Sequence, residues 1–169
     1  GMKRDRNRHP LLELVAAQKR GKSAGISAVC SANAFVLKAA MQQARQDGSA
    51  VCIEATSNQV DQFGGYTGLT PSRFAAMVKH ISGGVGVAAR QLILGGDHLG
   101  PNPWRGEKAG DAMAKATDLI RAYVEAGFEK IHLDASMPCA DDLRSGKPFI
   151  DIRQVADRAA RLAEAAEAA

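Results

Sequence analysis

Carboxylates, imidazoles and amides recur at the ends of short apolar runs in this chain. Asp97 and His98 stand side by side after Leu92-Ile93-Leu94. A carboxylate beside an imidazole can move a proton, and a histidine held at a strand end can ligate zinc, so His98 is a candidate metal ligand. Glu54 closes a second apolar run, Val51-Cys52-Ile53, and joins Asp97 as a candidate acid or base. Asn58 and Gln59 follow Glu54, Asn102 follows the Asp-His pair, and Asp134 and Ser136 alternate with Leu133 and Ala135. Such amides, carboxylates and hydroxyls can hydrogen-bond the hydroxyls of a polar ligand. Gly64 and Gly65 open a glycine-rich loop that runs to Gly68, whose N–H groups can point at one anion, such as a phosphate. His132 can be a second metal ligand. Plainer readings stand beside these. Asp97 and His98 can cap the next helix, His132 and Asp134 can form a satisfied polar pair, and the glycine loop can be a simple connection.

The elements that must position these groups follow from periodicity. A helix is expected from Pro10 to about Lys22, and a small apolar strand over 25–31. The next helix runs from Asn33 to Gln46, with Phe35, Val36, Ala39, Ala40 and Ala44 on its apolar face. A strand over 50–55 leads into the polar loop 56–70, where Thr70 and Pro71 supply an N-cap and a first helical residue. That helix is predicted to stop at Gly83-Gly84. The run 91–96 reads as a buried strand, with Gly95 and Gly96 letting the backbone turn sharply or approach something closely at its end. A helix over about 107–126 ends before Gly127, an alternating strand spans 130–136, and an alanine-rich helix covers 150–169.

Strand and helix thus alternate through four units after a leading helix, which predicts parallel strands and right-handed crossovers. Polar strand ends converging on one mouth follow barrel logic. The expected fold is α/β of TIM-barrel type, the N-terminal half (about four βα units) of a (β/α)8 barrel. A whole barrel needs roughly 250 residues; this chain has 169. Residues 1–9 read as a basic leader and 10–169 as a single α/β domain. Unpaired sheet edges would invite self-pairing, or mark a piece of a longer natural protein.

Composition narrows the classes. The chain is 46% hydrophobic and only 5% aromatic, so its core is aliphatic. Much of the +4 net charge sits in Lys3–Arg8, beside which no nucleic-acid reading motif occurs. No apolar run approaches the roughly 20 residues of a membrane span. Three cysteines without CxxC spacing fit a reducing cytoplasm, with Cys30 and Cys52 as core residues and Cys139 as the loop thiol to test. No Gly-x-Gly-x-x-Gly turn follows the first strand and no complete Gly-x-x-x-x-Gly-Lys-Ser/Thr loop occurs, so no nucleotide motif is present.

Three segments together resemble one family: Ile53–Pro71, Leu94–Asn102 and Lys130–Met137. They are similar to the Z-subunit family of D-tagatose-1,6-bisphosphate aldolase, some members of which are labelled tagatose 6-phosphate kinases. The resemblance implies a TIM-like barrel related to class II metal-dependent aldolases. It implies a non-catalytic, stabilising subunit serving galactitol, tagatose or N-acetylgalactosamine catabolism. The implied partners are the catalytic Y subunit and a sugar phosphate, in a homo- or hetero-oligomer. Asp97 and His98 match the proton donor and zinc ligand of those aldolases, but the remaining histidine ligands belong to later strands, so the Zn2+ ligand set of this chain is incomplete. An independent metal-dependent ketose phosphate epimerase or aldolase is the alternative, and a kinase carries least weight.

Overall fold

The computed structural model describes residues 9–142 and 149–169. The basic run Lys3–Arg8 and residues 143–148 lie outside them. The elements are α1 (Pro10–Lys19), β1 (Ser27–Cys30), α2 (Ala34–Asp47), β2 (Val51–Thr56), α3 (Pro71–Val85), β3 (Leu92–Leu99), α4 (Ala109–Glu125), β4 (Lys130–Leu133) and α5 (Ile152–Ala168). The strands form one parallel sheet in the order β1-β2-β3-β4. This is the α/β pattern of half an eight-stranded barrel, with β1 and β4 as its edges. His9, placed by sequence in the basic leader, belongs to the fold. It accepts a hydrogen bond from Leu11 N at the start of α1, and its Nε2 lies 3.0 Å from Glu129.

Alternation along each strand gives the sheet two faces. Val51, Ile53 and Ala55 of β2 and Leu94 of β3 join the helices in one aliphatic core with Leu37, Met41, Phe74, Val78, Met113 and Ile120. Each of these side chains larger than alanine contributes about 1.5–3 kcal/mol by leaving water. The other face carries the polar residues in rows set by register. Cys30, Glu54, Gly95 and Lys130 form one row; Thr56 and Asp97 lie in the next, two residues nearer the strand ends.

Several local expectations need correction. On α2 the buried stripe is Leu37, Met41 and Ala44, while Phe35 is 85% exposed. Asn33 caps the helix through Phe35 N and Val36 N, which fixes the phase and turns Phe35 outward. Gly83 and Gly84 lie inside α3, and Gly86, at φ 79°, is the stop. Gly95 and Gly96 do not turn the chain: β3 continues through them to Leu99. Thr70 caps α3 through Arg73 N, as read from sequence.

Candidate functional site

The mouth of the sheet is shaped by an irregularity in β3. Gly96 pairs with Ile131 and Leu99 with Leu133, so Asp97 and His98 together stand opposite His132 alone. Two residues facing one is a β-bulge, and it brings consecutive side chains to the same side. His98 takes φ 51°, the left-handed region that a non-glycine residue enters only under local constraint. Leu99 then returns, fully buried, to the helix-covered core.

The bulge gathers a compact constellation. Asp97 Oδ1 lies 2.9 Å from His132 Nδ1, 3.1 Å from His98 Nδ1 and 3.7 Å from Lys130 Nζ. The two imidazole rings are 4.4 Å apart. Burial pushes the Asp97 carboxyl up, but hydrogen bonds from His132 and His98 and the charges of His98 and Lys130 outweigh it, so the group sits below the usual carboxylate range. One ligand atom from each of Asp97, His98 and His132 falls within 4.8 Å of the others. Ligands at about 2.0–2.2 Å from a zinc ion span a similar distance, so this nitrogen–oxygen set fits such a cation.

One row beneath, Glu54 and Lys130 meet at 2.6 Å. They sit on strands separated by β3, roughly 9–10 Å apart by strand spacing. The contact exists because Gly95 leaves the space open: a Cβ there would stand 2.8 Å from Glu54 Cγ and 2.9 Å from Cys52 Sγ. Glu54 is therefore a buried, ion-paired carboxylate below the acid–imidazole cluster rather than an open base at the rim. Lys130 was missed from sequence, although it shares the alternating face of His132 and Asp134. The cysteines beside this row are not poised nucleophiles. Burial and the carboxylates of Asp97 and Glu54 push the Cys30 thiol up to about 11, and burial and Glu54 push Cys52 up to about 12. Cys30 is exposed on the edge strand rather than in the core. Cys139, the loop thiol to test for reactivity, is 2% exposed and its thiol is raised by burial.

Beside the cluster lies a cavity of about 540 Å³, lined by Asn58, Asn102, Pro103, Arg105, Asp134, Ser136 and Met137. Four of the predicted sugar-binding residues are thus brought together. Asp134 Oδ1 accepts from Ser136 N at 2.9 Å and Ser136 Oγ at 2.6 Å. Burial raises this carboxyl, but the Ser136 bonds and the charges of His98 and His132 bring it below the usual range, which ties the cavity to the histidine cluster.

Gln59, Gly64 and Gly65 do not line that cavity. The Gln59 side chain accepts from Thr56 N at 2.9 Å and its carbonyl accepts from Thr67 Oγ1 at 2.6 Å. The amides expected to face a phosphate are committed within the loop. Gly65 N and Phe63 N donate to Asp61 Oδ1, Gly64 N to the Asp61 carbonyl, Tyr66 N to Asn58 and Thr67 N to Gln59. Asp61, 7% exposed and overlooked in the sequence, is the organiser of this loop. Tyr123 of α4 fastens it from below, donating to the Val60 carbonyl at 2.9 Å.

Comparison with known proteins gives this geometry a lineage. Residues 11–169 match the family described as D-tagatose-1,6-bisphosphate aldolase subunit GatZ/KbaZ-like. The chain belongs to that family. It is 54% identical over 160 residues to a D-tagatose 6-phosphate 4-epimerase of Agrobacterium fabrum, covering 94% of this chain and 36% of that protein. It is 53% identical over 155 residues to the D-tagatose-1,6-bisphosphate aldolase subunit GatZ of Klebsiella pneumoniae, covering 92% of this chain and 36% of the subunit. A crystal structure of a probable tagatose 6 phosphate kinase from Sinorhizobium meliloti superposes with a TM-score of 0.78 at 49% identity, covering 85% of this chain and 36% of that one. The chain therefore spans about a third of the length of these GatZ/KbaZ-like relatives. Their names describe three different activities, so family membership leaves the reaction open. Among the described residues, no helix is long and apolar enough to cross a membrane.

Proposed function

We propose that this chain contributes to a ketose-phosphate site in tagatose metabolism, where Asp97, His98 and His132 hold a divalent metal ion. The observation that carries the reading is the bulge that sets two imidazoles around one carboxylate oxygen at the strand mouth. Such an ion, when bound, supplies a Lewis acid to a carbonyl or alkoxide oxygen of the sugar. Asn58, Asn102 and Ser136 orient the hydroxyls in the adjoining cavity. Lys130 neutralises Glu54 and lies near enough to Asp97 to steady a second negative charge. Carbon–carbon cleavage and epimerisation of a ketose phosphate both need oxygen polarised and a proton moved beside it, so these are the two reactions to assay. The test is incubation with tagatose 6-phosphate or tagatose 1,6-bisphosphate, with Zn2+ or Mn2+ and then with a chelator. Metal-dependent formation of an epimeric ketose phosphate or of triose phosphates is the expected result; no turnover under any metal contradicts it.

The second reading, a non-catalytic subunit that stabilises a catalytic aldolase subunit in the cytoplasm, draws on the exposed edge strand β1. An uncovered parallel edge is a surface on which another strand can pair. Co-expression with the catalytic subunit should then raise its aldolase activity and lifetime, and an unchanged lifetime argues against this role.

A further inference from the structure

We infer that Arg105 anchors the phosphate of a ketose phosphate whose hydroxyl-bearing carbons run along the cavity toward Asp134 and the histidine pair. The inference rests on the sugar-phosphate reading above and adds its direction and its anion-binding group.

Among the described residues, Arg105 is the one cationic residue lining the cavity. Among the described residues, no carboxylate lies within 4.0 Å of its guanidinium, although Asp134 lines the same cavity. Arg45 and Arg158, by contrast, are committed: Arg45 donates to the Val85 carbonyl at 2.7 Å, and Arg158 is paired with Asp142. An exposed guanidinium at a cavity wall offers a planar fork that matches phosphate oxygens two at a time.

The backbone that presents Arg105 is firmly set. Residues Asn102–Trp104 form a tight 3-10 turn after Pro101, closed by Trp104 N on the Pro101 carbonyl at 2.9 Å and Arg105 N on the Asn102 carbonyl at 3.3 Å. Trp104 packs against the core and meets Phe63 edge to face, with centroids 6.2 Å apart. The turn thus directs Asn102 and Arg105 into one space.

Charge gives the ligand a polarity. Asp134 repels a phosphate but suits sugar hydroxyls, and it follows His132 by two residues at the end of β4. Arg105 therefore takes the phosphate, and the reacting carbons lie toward the imidazoles. The glycine loop offers no comparable fork, because the Gly64, Gly65, Tyr66 and Thr67 amides are spent on Asp61, Asn58 and Gln59. The volume, about 540 Å³, lies within the usual range for small-molecule pockets.

The test is calorimetric titration of the chain and of its R105Q and R105K variants with tagatose 6-phosphate, tagatose and inorganic phosphate. The expected result is that the unsubstituted chain binds the phosphorylated ketose at least about tenfold tighter than tagatose, that R105Q abolishes this preference, and that R105K keeps part of it. Zinc stoichiometry, measured on the same samples, should be equal in all three proteins. A preference retained in R105Q overturns the assignment to Arg105. Equal binding of both ketoses by the unsubstituted chain overturns the phosphate anchor while leaving a sugar site in place. Binding of neither ketose removes the sugar-phosphate reading and the anchor with it.

Discussion

Two carboxylates in this molecule are held below their usual range by nitrogen donors, yet they are built for opposite ends. Asp142 is closed. Arg158 grips it with Nη2 at 2.7 Å from Oδ1 and Nη1 at 2.9 Å from Oδ2, while Gln154 and Cys139 N add further bonds. The side chains of Arg158 and Asp142 are 6% and 3% exposed. Asp97 is open. One of its oxygens is shared between His98 and His132, whose side chains are 57% and 43% exposed. In the first, complete satisfaction locks α5 to the loop after β4. In the second, crowded donors and exposed rings leave room for a ligand. Completion marks structure, and its lack at a solvent-accessible mouth marks a site.

The contrast breaks most visibly at Arg158. R158A strands the Asp142 charge in a dry environment and should destabilise the fold by about 3–5 kcal/mol, read from urea denaturation. A loss under 1 kcal/mol would make the closed pair as dispensable as a surface one. Next in size is G95A, where the added methyl meets Glu54 and Cys52 in a space with no slack. Overpacking of that kind should cost about 1–3 kcal/mol in the same assay and should disturb the Glu54–Lys130 pair.

Acidity sharpens the comparison further. The Arg158 hydrogen bonds, opposed by burial, hold the Asp142 carboxyl down. A depressed folded-state pKa contributes stability that is fully present above the unfolded value of about 3.9 and is lost as pH falls through the folded value. Urea midpoints followed from about pH 6 to about pH 2 should therefore fall, and the fall should be shallower in D142N than in the unsubstituted chain. The smallest effect on stability belongs to D97N. Its open cluster should yield less than about 1 kcal/mol on denaturation, while metal affinity drops by tenfold or more on the scale of about 1.4 kcal/mol per decade.

Much of the frame was legible in the chain. Asn33 and Thr70 announce their helices because a side-chain oxygen there satisfies exposed N–H groups. Gly127, at φ 87°, marks the end of α4. The alternation of Ile131 and Leu133 with His132 placed β4 and its faces. The site itself was only half legible. Strict alternation would send Asp97 and His98 to opposite faces, and only the bulge unites them. At Gly95 the close-approach reading holds and the turn does not, and the two look alike in sequence. Lys130 looks like an ordinary surface charge because its partner Glu54 is remote in the chain, and Asp61 looks like any loop acid because its bonds to Phe63 N and Gly65 N exist only once the loop is folded.

The most direct test of an open, metal-holding cluster is zinc titration of chelator-treated protein by calorimetry, comparing the unsubstituted chain with H98A and H132A. One ion per chain, lost in both variants and retained in R105Q, is the expected result. No binding, or an unchanged stoichiometry in H132A, would contradict it.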